Sequence, residues 1–353
     1  MESPAKPGGV TLQISLAPND LPHAVHTVPH QLRQLGGQVD EIDLTLDLHR
    51  SGGRYGSEWE GQLPGLERFL EAIVDEWPRA RVCRVDYSPA ALHAVGEAFL
   101  GGVDVPLKAG TGAPMHSYFW ALLEARNDYV LHLDSDVMFG GGSPTWVAEA
   151  TDLLDRRGEV ILCSPLSGPP RPDGELPDHV VARMHRWGGA FLGREPHSSL
   201  AHRLGHCSSR LFFAHRPSFL AELCPLPLLR GSLRERAAWR VDGNPPYRIP
   251  EHMISEAMRR RGLVRVDLLG DPPGMWSLHP VWRTAAYLRE LPALIERVEA
   301  GDMPEEQLGD YDVADSLIED YPAARAEFER APSRRERLAW RLKMARALLR
   351  PPG

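Results

Sequence analysis

The chain has 353 residues, 42% hydrophobic and 25% charged, enough to bury a full core as one large domain with an appendage. Its formal net charge of -8 lacks the basic excess that a general nucleic-acid binder needs to displace counterions. There is no run of about 18 apolar residues, the opening MESPAKPGG has neither a basic start nor an apolar signal core, and Cys83, Cys163, Cys207 and Cys224 show no C-x-x-C spacing. The expectation is therefore a soluble, cytoplasmic protein with reduced core cysteines, without a disulfide framework or a cysteine zinc site. Abundant arginine beside scarce lysine points to a GC-rich, bacterial source.

Residues 1–9 read as a Pro/Gly-rich disordered tail. VTLQISLA (Val10 to Ala17) alternates as a strand and is stopped by Pro18-Asn19-Asp20. A helix follows through Leu32 and Leu35, closed by Gly36-Gly37, and VDEIDLTLDL (Val39 to Leu48) returns to period two. After a polar loop from His49 to Gly61, LERFLEAIVDEW is helical and RVCRVDY is a strand. Helices over Ala91 to Leu100 and Met115 to Arg126 precede the strand YVLHL; WVAEATDLLDRRG and VILCSP then repeat helix and strand. This alternation predicts an α/β domain with a mostly parallel sheet covered on both faces. Pro165 to Asp178 is a loop by composition, and the segment to Pro250 has no clear period, as expected of a variable, substrate-facing region. PEHMISEAMRRRG is a helix stopped at Gly262, LVRVDLL is a strand, and WSLHP follows.

YVLHLDSDVMF places Asp134 and Asp136 around Ser135 where the buried strand from Tyr129 ends. In such sheets ligands bind beyond the carboxyl ends of the strands. Two carboxylates two residues apart on an extended segment lie on the same side, roughly 6.5 Å apart by strand rise. Close together and unpaired they repel and raise one pKa, unless a cation intervenes. Simple turn-forming or capping is the alternative, with Asp136 preparing the turn at Gly140-Gly141-Gly142. Position at a central strand's end favours a divalent metal held by oxygen ligands.

The order of strand, loop, strand ending in Asp, helix, then A-x-x-D-Y-V-L-x-L-D-S-D (Ala125 to Asp136) resembles the GT-A glycosyltransferases, above all the large family-two inverting group, over roughly residues 10–285. The resemblance implies a GT-A (Rossmann-like) α/β fold over residues 10–290, with a nucleotide-sugar half (10–136) and an acceptor half (137–290), followed by a helical C-terminal appendage (291–353). It implies an inverting, non-processive transfer of a sugar, as by a hexosyltransferase, from a UDP-, GDP- or dTDP-sugar to a hydroxyl of an acceptor that the sequence does not name. Asp134, Asp136 and His279 are the implied ligands of Mn2+ or Mg2+. Asn19, Asp20, Asp47, Lys108, Asp134 and Ser135 are assigned to the nucleotide sugar. Glu251, at the start of a helix where its charge is favoured, is the implied base, with His252 in place of the family's second acid and Asp242 a lesser acceptor contact. Without a base among these, a retaining mechanism becomes possible. Tyr118-Phe119 stand where the family has Arg-Asn, which leaves the contacts made there without a counterpart. The Q-x-x-R-W motif and the membrane helices of processive synthases are absent.

L-D-S-D-V also resembles the haloacid dehalogenase-like phosphatases, with Asp134 as nucleophile, Asp136 as acid/base, and Ser164, Asp267 and Asp271 as later motifs. Against this, the nucleophile normally opens such a domain. A non-catalytic nucleotide-sugar or glycan binder is the other alternative. His202 and His206, four apart, could chelate zinc on a helix but lack a nearby third ligand. Finally, Ser333 to Arg350 carries seven cations against Glu336, with Leu338, Leu342, Ala345 and Leu349 in one stripe. Such a helix either packs on the acidic 302–329 segment or the catalytic domain, or makes peripheral contact with an anionic membrane, here on its inner face.

Overall fold

In the computed structural model, which describes residues 8–50, 59–186, 188–331 and 333–349, the apolar alternation of the first half becomes a parallel sheet. Residues 1–7 of the expected tail and 51–58 of the expected loop lie outside that description. β1 (Val10–Leu16), β2 (Glu41–Leu46), β3 (Ala80–Arg84) and β4 (Tyr129–Asp134) run parallel, with β1 between β2 and β4. The crossovers are α1 (Leu21–Leu35), α2 (Trp59–Glu76), and α3 (Pro89–Leu100) with α4 (His116–Glu124). Successive strand residues point to opposite faces. Leu131 and Leu133 of β4 therefore join Leu12, Ile14, Val28 and Leu32 in one core, while Val130 joins Phe99, Phe119 and Phe212 in another. Each large apolar side chain so removed from water contributes about 1.5–3 kcal/mol.

The segment expected to be irregular is ordered. After β5 (Met138–Gly140), α5 (Trp146–Arg156) and β6 (Val160–Ser167) come α6 (Asp178–Arg186), β7 (Phe191–Arg194), β8 (Ala201–Leu204), β9 (Leu211–His215), α7 (Arg216–Leu223) and α8 (Leu233–Val241). α9 (Pro250–Arg261), β10 (Val264–Leu268) and β11 (Trp276–Leu278) follow. The sheet order is β3-β2-β1-β4-β9-β6-β10-β8-β7, and β9 is wedged antiparallel between β4 and β6. The mostly parallel α/β class stands, with antiparallel strands added by the second half. His202 lies on β8 rather than on a helix, its Nε2 3.0 Å from the Gly174 carbonyl, and His206 accepts from the Ala190 N–H. Their four-residue spacing is no zinc motif.

The expected division between 290 and 291 falls inside α10 (Ala285–Ala300). Tyr287, Leu291, Leu294 and Val298 of α10 share a third core with Met138, Leu166, Trp276 and Tyr321, the last opening α11 (Tyr321–Glu329). The chain to 321 thus completes the main body, and α12 (Arg334–Leu349) is the element beyond it. No described helix is long and apolar enough to cross a membrane.

Glu299 ties α10 to α1. His30 accepts the Phe139 N–H at Nε2 (2.8 Å), so the neutral ring donates from Nδ1 to Glu299 (2.6 Å), which also accepts from Arg33 (2.8 Å). These two donors, His30 first, draw the Glu299 carboxyl from 4.5 to about 2. A depressed carboxyl contributes its stability in full above the unfolded value and loses it as pH falls toward the folded one. The urea midpoint is therefore expected to drop between pH 4.5 and pH 2, and Glu299→Gln is expected to lower the midpoint at pH 7 and flatten that drop.

Candidate active site

Asp134 closes β4, and the chain turns through Ser135 and Asp136 before starting β5. β5 pairs antiparallel with β11, Met138 opposite Leu278, so the residues just before one strand and just after the other meet. Asp136 Oδ2 lies 3.4 Å from His279 Nε2. The ribbon closes this tightly because position 140 is glycine; a Cβ there would lie 2.0 Å from the Trp276 ring. α1 pins the turn from behind: Gln31 Nε2 donates to the carbonyls of Asp134 (3.0 Å) and Val137 (2.9 Å), and Thr27 Oγ1 donates to that of Ser135. Ser135 itself is buried, its Oγ 3.0 Å from His23 Nε2. Its hydroxyl, expected at the nucleotide sugar, is engaged with α1.

Asp136 is 1% exposed, and its Oδ1 has no hydrogen-bond partner. Its Oδ2 accepts from Arg283 Nη2 (2.6 Å) and Nε (2.9 Å), while Arg283 Nη1 reaches Asp20 Oδ1 (3.2 Å). Asp20 sits in the turn Pro18–Asp20 after β1, with Asn19 half-buried beside it, and also accepts the Ala17 N–H (2.8 Å). Burial opposes the Asp136 charge, but Arg283 and then His279 overcome it and hold the carboxyl well below its ordinary range. Burial, then the Asp136 charge, push Asp134 up. Arg283 and His279 thus keep Asp136 charged, while burial and then the Asp136 charge drive Asp134 toward the neutral acid.

Among the described residues no group of three or more His, Cys, Asp or Glu side chains forms a ready metal cage. Of the expected set of Asp134, Asp136 and His279, the last two stand close together. Asp134 continues the side of β4 that carries Val130 and His132 toward α4, while Asp136 and His279 meet at the ribbon. That pair fits a hard divalent ion. Adjacent ligands of an octahedral ion at 2.0–2.1 Å stand about 3 Å apart, and one carboxylate plus one imidazole leaves positions for water or phosphate oxygens. Arg283 is then the competing cation. Two charges 4 Å apart near a protein surface carry about 4 kcal/mol, less when solvent screens them. Arg283→Met is accordingly expected to tighten Mn2+ binding without nucleotide by about tenfold, a small share of that energy. Counting free Mn2+ by electron paramagnetic resonance reads this, and unchanged or weaker binding would show that Arg283 does not compete.

Asp47 follows β2 and is spent internally. It accepts from Lys108 Nζ (2.7 Å), Ser117 Oγ (2.9 Å), Tyr87 OH (2.7 Å) and the His49 N–H (2.8 Å). Lys108, expected to offer a cation to the diphosphate, is buried in this pair instead. What the cluster builds is a ring platform: Tyr87 lies between His49 and His116, with centroids 5.1 and 5.0 Å away.

Glu251 sits in the first turn of α9, its Oε2 accepting the Ser209 N–H (3.1 Å) and hydroxyl (3.4 Å). Next to Ser209, Arg210 lies within the fields of Asp134, Asp136 and Glu251, so this loop joins the implied base to the carboxylate turn. Burial lowers the pKa of His252, against the raising field of Glu251 beside it, and its Nδ1 is buried without a hydrogen-bond partner. Asp242 is exposed at the end of α8. Tyr118 and Phe119 are both buried: Phe119 stacks on Phe99 (4.8 Å) and Tyr118 packs against His132 (4.7 Å). Neither replaces the polar pair of the resembled family. Three contributors were missed: Arg283, four residues after His279; Arg210, in the segment without period; and Tyr311, whose ring stacks on His279 (5.7 Å) while its backbone carbonyl accepts the His279 N–H. Only Arg283 had a signal, a cation closely following the implied metal histidine.

The residues offered for a phosphatase do not gather at Asp134. Ser164 donates to the Leu211 carbonyl, Asp267 is forked by Arg265 (2.7 and 3.0 Å), and the Asp271 N–H bonds Glu149.

No family profile matches the chain, and no curated protein is detectably similar to it. Solved structures similar to it include GalNAc-T7 with UDP, GalNAc and Mn2+ (12% identity, TM-score 0.42, 77% of this chain and 43% of that one). Others are the mannosyltransferase PcManGT from Pyrobaculum calidifontis with GDP-Man and Mn2+ (14%, 0.35, 98% and 75%) and glucosyl-3-phosphoglycerate synthase from Mycobacterium tuberculosis with Mn2+, UDP and glucosyl-3-phosphoglycerate (17%, 0.33, 84% and 81%). The chain spans less than half the length of the first of these. At such identities and scores the likeness assigns no residue a role.

Proposed function

We propose that this chain is a GT-A glycosyltransferase that moves one sugar from a nucleotide-sugar donor to an acceptor hydroxyl, with inversion and with Mn2+ or Mg2+. The observation that carries the reading is Asp136, a buried carboxylate beyond a central strand's carboxyl end, with one oxygen unpartnered and the other 3.4 Å from His279. The ends of β1, β2 and β4 supply Asp20, Asp47 and the Asp134–Asp136 turn, where open α/β sheets bind ligands.

In this reading Asp136 and His279 hold the cation, which supplies counter-charge to the departing diphosphate. The platform of His49, Tyr87 and His116, held by Asp47 and Lys108, receives the base of a UDP-, GDP- or dTDP-sugar. Asn19 and Asp20 line the same pocket, and Arg283, released from Asp136, stands beside the diphosphate. Glu251 takes the acceptor proton as the acceptor oxygen bonds to the anomeric carbon and the bond to the nucleoside diphosphate breaks. The Ser209 N–H and hydroxyl hold its Oε2 in place at the start of α9. A bacterial cytoplasm suits such donors.

The test is donor turnover: UDP-, GDP- and dTDP-hexoses with Mn2+ and no added acceptor, following sugar released by slow hydrolysis. One nucleotide class is expected to be consumed, and Glu251→Gln is expected to slow it by about 10²–10⁴-fold. Phosphate release from sugar phosphates, with every nucleotide sugar left intact, would contradict the proposal.

A further inference from the structure

Among the described residues α12 lies along α8. Both helices are cationic: α12 carries exposed Arg335, Arg337, Arg341 and Lys343 against Glu336, and α8 carries exposed Arg234 and half-buried Arg236 and Arg240 against Glu235. In a chain of formal net charge -8 this is strong segregation, and two neighbouring helices of like sign call for an anionic partner. The apolar residues of α12 lie on two sides. Leu338 and Leu342, four apart on one face flanked by Arg335 and Arg341, are 60% and 53% exposed. Trp340, on the opposite side, is 39% exposed and Met344 is half-buried, the gradient of a helix seated on its neighbour by that side. Leu233, the first residue of α8, is 79% exposed.

We propose that the α8–α12 face docks on an anionic phospholipid surface. Scattered exposed leucines need no explanation. Leucines set among arginines on one face do: the apolar side chains enter the acyl boundary while the guanidinium groups, on stems that reach outward, meet the phosphates. A nucleic acid would use the charge and leave Leu233, Leu338 and Leu342 in water. The face also has a place in the molecule. Glu235 of α8 pairs with Arg248 (2.9 Å), and from Arg248 the chain leads directly into α9 and Glu251. With the docked face tied in this way to the element that carries Glu251, a lipid-linked hydroxyl is the acceptor class we infer. That last step rests on the glycosyltransferase reading; the docking does not.

The experiment is co-sedimentation of the full chain with phosphatidylglycerol–phosphatidylcholine vesicles and with pure phosphatidylcholine vesicles in about 0.1 M NaCl, where surface charge is only partly screened. Partition onto the anionic vesicles is expected to be at least about tenfold higher, and Leu338→Glu/Leu342→Glu and Arg335→Gln/Arg341→Gln are each expected to remove most of it. These positions are exposed, so thermal melting and nucleotide binding of both variants stay unchanged, which separates failure here from failure of the catalytic reading. Absence of binding, equal binding to neutral vesicles, or binding that the arginine variant loses and the leucine variant keeps would overturn the proposal.

Discussion

Asp136→Ala is expected to weaken Mn2+ binding by more than about 100-fold, since loss of mere outer-shell partners already costs 10–100-fold in metal sites. The substitution removes both the unpartnered oxygen and the one facing His279, leaving a lone imidazole. Arg283 keeps Asp20 as a partner and, being partly exposed, water as well, so the fold has no buried cation left bare. Titration of free Mn2+ by electron paramagnetic resonance reads the effect. Wild-type affinity in Asp136→Ala would place the cation elsewhere.

Asp47→Ala is expected to destabilise the protein by about 3–5 kcal/mol, the cost of removing one partner of a buried ion pair. The buried Lys108 ammonium loses its only ion-pair partner among the described residues, and Ser117, Tyr87 and the His49 N–H lose an acceptor. Asp47→Ala/Lys108→Met is expected to recover much of the loss, so the two changes are strongly non-additive in a double-mutant cycle. Denaturant unfolding measures both. A single mutant within about 0.5 kcal/mol of wild type, the scale of ordinary surface substitutions, would mean that the carboxylate is not committed to the scaffold.

Where the chain alternates plainly, sequence and structure agree: β1, α1, β2, β4 and β6 begin and end close to where apolar period and Gly or Pro place them. Asp134 and Asp136 were legible for the same reason, because a continuous apolar strand ending in carboxylates needs no partner to be noticed. β9 was not, since LFFAH is too short to alternate visibly and its pairing with β4 spans some eighty residues of chain. Ser135 was assigned to the donor from its place between the two aspartates, whereas the contact of its hydroxyl with His23 on α1 is visible only in the fold. Asp47 and Lys108, 61 residues apart, each read as available charges until the fold joined them. His279 was found by resemblance, whereas the strand pairing that brings it to Asp136 is visible only in three dimensions. Of the expected C-terminal stripe, Leu338 and Leu342 are exposed on α12, while Trp340 and Met344 form a second apolar side that the stripe did not include.

Isothermal titration of UDP, GDP and dTDP into wild type and Asp136→Ala, with and without Mn2+, tests the central claim most directly. The account predicts that one nucleotide binds wild type only when Mn2+ is present and does not bind Asp136→Ala under either condition. Nucleotide binding that ignores both the metal and Asp136, or no binding at all, would contradict it.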